Sequence, residues 1–236
     1  MSSAPPNNHT SRKLAAWVLC MAGGLSALGA GAGEVLNRVQ ARGEIKVCIW
    51  PHYQRISWRD PRSGQLSGLD IDLATALASD LQAKLQFVDS SFVTLIQDLH
   101  TNRCDVAMFG IAMLPSRMEK LQFSTPYLQS DIYAITTRTN RIVRQWSDID
   151  QPGVLVGVQA GTFMEPIMRE RLRQAELVSI QLPQTREREL IAGRVDVFMT
   201  DYPYGRSVLE ASDWASLLTS PTPFHVLPYA HASKQG

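Results

Sequence analysis

Two residues of opposite charge follow two apolar runs of strand length. Arg117 comes shortly after Val106 to Ile111, and Asp201 closes the run Val195 to Thr200. The ends of strands in an open α/β sheet are where ligands collect. An arginine there can fork two hydrogen bonds onto a carboxylate, and an aspartate can take an ammonium. Each residue alone is better read as a solvated loop charge; the pair, one in each half of the chain, is what a zwitterion needs. A third element, Gln159-Ala-Gly161-Thr162, is a tight loop opening a helix. Its free N–H groups are predicted to help hold the carboxylate. Phe92, above another strand end, is either core or a stacking surface.

The segments around these residues alternate. Glu44 to Trp50 reads as a first strand, Leu69 onward as a helix with Asp70 and Asp72 in its first turn, where the dipole favours acids. Leu85 to Asp89 is a strand, the spacing of Phe92, Leu95, Ile96 and Leu99 is helical, and Val106 to Ile111 is a buried strand. This is the grammar of a parallel sheet. Tyr127 to Thr137 reads as an extended crossover. A second series follows: strand Leu155–Val158, helix Phe163–Ala175, strand Leu177–Gln181, helix Thr185–Ala192, strand Val195–Thr200, and an extended Phe224–Ala230. No heptads, internal repeats or low-complexity tracts are visible.

The chain of 236 residues is 44% hydrophobic and 19% charged, enough for one sizeable or two small cores. A formal net charge of +1 gives no bulk electrostatic case for nucleic acid. Arg12-Lys13, the run from Leu14 to Leu28 and the small residues Ala30-Gly-Ala32 predict a cleaved signal peptide over 1–32. Export leaves Cys48 and Cys104. Two cysteines in an oxidising compartment permit a disulfide, with two buried thiols as the alternative. The five histidines show neither metal-ligand nor triad spacing, so no metal or other cofactor is expected.

Four motifs in order then carry a resemblance: Gly68-Leu-Asp-Ile-Asp-Leu73; Arg117 with Phe123-Ser-Thr-Pro-Tyr127; Val156-Gly-Val-Gln-Ala-Gly-Thr162; and Gly193-Arg-Val-Asp-Val-Phe-Met-Thr-Asp201. From about Glu44 to Ala230 the chain resembles the bacterial extracellular solute-binding proteins of family 3, the periplasmic amino-acid-binding components of ABC transporters. The resemblance implies a periplasmic-binding-protein-like fold: two α/β lobes joined by two hinge strands that close on a ligand. Lobe 1 would span 33–136, lobe 2 137–224, and 225–236 would return to lobe 1, whose C-terminal part the chain leaves short. It implies that Arg117 grips the ligand carboxylate with help from Thr162, that Asp201 takes the amino group, and that Tyr53 and Phe92 wall the cleft. The expected partners are a small amino acid or carboxylate and a membrane permease; the expected compartment is the periplasm.

Two departures from the family pattern bear on the site. Where a hydroxyl is usual before Arg117 the loop is Gly110-Ile-Ala112, so its ligand contact falls to backbone or is lost. Arg55 and Ile56 replace a proline and an aromatic; Arg55 either reads an acidic ligand or faces solvent, and solvent is the reading taken. The second half also resembles periplasmic cyclohexadienyl dehydratase. That activity places a glutamate two residues after the Gly-Thr pair. Here Met164 holds the position and Glu165 comes one later, a rotation of ~100° on a helix, so the enzyme is the minority alternative, with Glu165 as its candidate acid. A sensor domain is a third possibility.

Overall fold

The computed structural model describes residues 33–235. The predicted signal peptide lies outside the described residues. Two mixed sheets organise the chain. The first runs, in spatial order, Lys84–Asp89, Glu44–Ile49, Val106–Ala112, Leu227–Lys234 and Leu121–Phe123, and Leu128–Ser130 also pairs with Leu227–Lys234. The second runs Glu176–Ile180, Leu155–Gln159, Val197–Thr200, Tyr133–Thr137 and Ala215–Leu218. In each sheet the first three strands are parallel, and an antiparallel strand lies beside the third. The fold is therefore two α/β lobes of like strand order.

That likeness is a repeat the sequence did not reveal, because few side chains are shared. One device is. Asp105 accepts from the Lys46 N–H at 2.8 Å, and Asp196 accepts from the Leu155 N–H at 2.8 Å. In both lobes an aspartate entering the third strand ties down the second. Asp105 is almost fully buried and is compensated by ion pairs to Arg38 and Arg42, as a buried charge requires.

The strands read as apolar runs because helices cover both faces. In the first lobe, Cys48, Ala107, Phe109 and Ile111 pack with Leu95 and Leu99, while Val47, Ile49 and Met108 pack with Ile71 and Ala74 of the helix Leu69–Asp80. Cys48 and Cys104 form a disulfide with Cα atoms 5.5 Å apart.

The predicted crossover Tyr127–Thr137 is two strands. Leu128–Ser130 pairs in the first sheet and Tyr133–Thr137 in the second, so the chain changes lobes at Asp131-Ile132, a few residues before the expected boundary at 136. Asp131 also accepts from the N–H groups of Phe224 at 2.8 Å and His225 at 2.6 Å, where the chain returns. One carboxylate thus clasps both crossings. The return strand runs on to Lys234, beyond the expected Ala230. The strand Ala215–Leu218 was not foreseen. The helix expected over Phe163–Ala175 ends at Arg171, because Asp150 draws the N–H groups of Arg173, Gln174 and Ala175 out of helical register.

Candidate functional site: an interlobe cavity

Arg117 sits in the one-turn helix Pro115–Met118 and is 5% exposed. Its Nη1 donates to the Ala112 carbonyl at 3.0 Å, which fixes it at the end of its own strand. Its Nη2 donates across the lobes to the Gly161 carbonyl at 2.7 Å. A guanidinium has five N–H donors, so three are not taken by these bonds. The ring of Phe92 lies 5.8 Å from the guanidinium carbon and against Trp50 and Phe109, so it is both core and wall. Burial lowers the Arg117 pKa to about 10, which leaves it charged at neutral pH.

Asp201 caps the helix Tyr202–Ala211, its Oδ1 accepting from the Tyr204 N–H at 3.2 Å. Its Oδ2 accepts from the Tyr53 hydroxyl of the first lobe and, at 2.7 Å, from the Tyr229 hydroxyl of the return strand. Burial pushes the carboxyl pKa up to about 6, outweighing the Tyr229 hydroxyl and the Tyr204 N–H, which lower it. Of roughly four lone-pair sites on a carboxylate, three are used.

A narrow cavity lies between the lobes and is lined from both. Tyr53, Phe92, Gly110, Ala112, Arg117, Thr162 and Asp201 all line it, so most residues singled out from sequence meet there. Gly110 is required by its backbone: φ is +66° and an added Cβ would stand 2.7 Å from the Tyr53 ring. Gly161 lies at the rim, where φ is +74° and a Cβ would meet the Val93 nitrogen at 2.7 Å.

One expectation is corrected, one is extended and one holds. The Gly161-Thr162 loop does not offer free donors. The Gly161 N–H goes to Glu165 Oε2 at 2.8 Å, and both the N–H and the hydroxyl of Thr162 go to the Gln159 carbonyl; a tight turn satisfies itself before it serves a ligand. Asp70 stands in the first turn of its helix as expected, but does more there than suit the dipole. It is fully buried and accepts from the Gly110 N–H at 2.8 Å and the Tyr127 hydroxyl at 2.7 Å, with His231 Nε2 at 3.2 Å, locking the loop before Arg117. Arg55, of the two readings, faces out: its side chain is 52% exposed and pairs with Glu210 across the lobes.

Trp50, Met164, Arg186, Tyr204 and Tyr229 also line the cavity and were missed. Tyr229 had a signal, as an aromatic in the return strand. Arg186 had none, since it stands in a run of alternating charges beside the exposed Arg188. The helical offset separates Met164 from Glu165. Met164 is buried in the cavity wall, while Glu165 lines an adjoining groove that shares Phe92, Arg117 and Thr162 with the cavity, and is bonded to Gly161 and Arg169. Among the described residues, no group of three His, Cys, Asp or Glu side chains could hold a metal ion.

The family model for bacterial extracellular solute-binding proteins, family 3, matches residues 45–172. The chain belongs to that family. Among curated relatives, it is 33% identical over 167 residues to cyclohexadienyl dehydratase of Pseudomonas aeruginosa, covering 70% of this chain and 62% of that protein. It is 27% identical over 195 residues to the L-cystine-binding protein TcyJ of Escherichia coli, covering 82% and 73%. Among solved structures, the ancestral amino acid-binding protein AncCDT-1, a precursor of cyclohexadienyl dehydratase, superposes with a TM-score of 0.76 at 29% identity, covering 85% of this chain and 86% of that one. Binding proteins and a dehydratase are thus both among the proteins this chain is similar to.

Proposed function

We propose that this protein reversibly captures an amino acid or related small carboxylate between its lobes, without covalent chemistry, and delivers it to an ABC-type permease from the periplasm. The observation that carries this reading is one buried cavity holding Arg117 from one lobe and Asp201 from the other. Arg117 takes the ligand carboxylate through its remaining donors. Asp201 takes the ammonium, which replaces a tyrosine hydroxyl or uses the last lone pair. Tyr53, Phe92, Gly110 and Ala112 shape the site, and Thr162 and Gly161 hold the second-lobe rim. The moving bodies are residues 33 to about 131 with the return strand, and the segment from about 132 to 224. Met164 in the cavity wall supports binding over a dehydratase, because a thioether has no proton to give a departing hydroxyl, and the Glu165 carboxylate is engaged by the Gly161 N–H in the adjoining groove.

The roles predict an asymmetry. Loss of one partner of a buried charge pair costs about 2–5 kcal/mol. By calorimetry, Arg117→Ala should abolish measurable binding of every carboxylate ligand. Asp201→Asn should weaken α-amino acids about 30-fold or more while sparing carboxylates without an ammonium. Equal losses for both classes would make Asp201 structural. Incubation with prephenate should yield no phenylpyruvate; turnover lost in Glu165→Gln would establish the enzyme instead.

A further inference from the structure

The cavity holds a second cation that the carboxylate clamp does not use. Arg186 opens the helix Arg186–Ile191 and is 3% exposed. Its guanidinium lies 4.1 Å from the Tyr204 ring centroid and 5.4 Å from that of Phe198, and Nη1 donates to the Met199 carbonyl at 3.1 Å. Among the described residues, neither Arg186 nor Arg117 forms an ion pair with a carboxylate. The buried charge of Asp105, by contrast, is compensated by two arginines. A desolvated cation without an anion is costly, and here two of them line one cavity whose single acidic wall residue is Asp201.

We propose that Arg186 reads a second acidic group, so that the ligand is a small dicarboxylic acid, in the first instance an α-amino dicarboxylic acid. This rests on the clamp reading above. A neutral amino acid answers Arg117 and Asp201 and leaves Arg186 bare. A cationic side chain sets like charge against like. A second carboxylate pairs Arg186 and balances the cavity. The Tyr204 ring holds the planar guanidinium in place, and Tyr204 is itself held by donating to Glu187 at 2.8 Å. A planar, fixed fork suits a carboxylate better than a flexible ammonium does.

The test is calorimetry on the full chain with L-glutamate, L-aspartate and prephenate against L-glutamine, L-asparagine and L-arginine. The best diacid should bind at least about tenfold tighter than any amide or cationic probe. Arg186→Gln should cost that diacid about 30-fold or more and the amides less than about threefold, and Arg186→Lys should recover part of the loss. An amide or L-arginine that binds the unaltered protein as tightly as the diacids would overturn the assignment without any variant. So would equal losses for all probes in Arg186→Gln, or none. If amides bind and Arg117→Ala removes that binding, the clamp survives such a failure. If no probe binds, or Arg117→Ala changes nothing, the clamp fails and takes this inference with it.

Discussion

At Asp201 two opposing effects meet, and burial is the larger. Three donated hydrogen bonds favour the carboxylate, yet its pKa stands at about 6 rather than 3.8. A carboxyl whose pKa is raised on folding binds its proton more tightly in the native state. Its effect on stability is therefore most favourable below 3.8 and is lost as pH rises through about 6. The displacement is worth at most roughly 3 kcal/mol. Asparagine keeps the helix cap and accepts from the same hydroxyls without carrying a charge. The melting temperature of ligand-free Asp201→Asn, relative to the unaltered protein, should therefore climb between pH 4 and pH 7. A difference that stays flat across that range would show that Asp201 ionises as an ordinary exposed acid.

Elements matter here for how closely they approach. The turn before the helix Met164–Arg171 presses its backbone onto Phe92 and Val93, and Gly161 is what permits it. An alanine there would be strained by φ of +74° and would collide with backbone that cannot swing aside. The Arg117 bond to the Gly161 carbonyl exists only while that approach holds. Gly161→Ala should thus weaken ligand binding about tenfold or more while costing the ligand-free protein only about 1 kcal/mol. Calorimetry and thermal melts measure the two numbers. A large loss of stability with affinity intact would reverse the assignment. Asp131 is a second device of this level. By clasping both crossings it ties the two hinge segments to each other.

For the molecule as a whole, the disulfide and the interlobe contacts do different work. Cys48 and Cys104 lie 56 residues apart in sequence and within one lobe. Closing such a loop removes unfolded-state freedom worth roughly 4 kcal/mol in the chain-entropy model. Urea unfolding with and without reductant, or of Cys48→Ala/Cys104→Ala, should show a loss of that order. The same variant should keep its ligand preference, since neither cysteine lines the cavity. An unchanged midpoint would mean the bridge restrains nothing in the unfolded chain. Between lobes, polar contacts run from Arg117 to Gly161, from Tyr53 and Tyr229 to Asp201 and from Arg55 to Glu210, beside an apolar cluster in which Leu114 and Tyr229 pack with Phe163 and Met164. The polar ones, which water can replace, suit a clamp whose closed state a ligand must select.

Local pattern alone determined the alternation of strands and helices, the cysteine pair, and the two strand ends bearing Arg117 and Asp201. Each of these depends on neighbours a few residues away, on apolar periodicity and turn residues. The family resemblance added roles for Tyr53, Phe92 and Thr162. Burial and the partners of each polar group were beyond reach, because they depend on segments far apart in the chain. Asp70 looked like a capping acid until Gly110, Tyr127 and His231 closed over it. The Gly161-Thr162 loop looked open until its donors turned to Glu165 and Gln159. Arg186 and Arg188 are alike in sequence, two positions apart on one short helix. Packing against Tyr204 and Phe198 takes one into the cavity and leaves the other in water, because neighbouring positions on a helix face different ways.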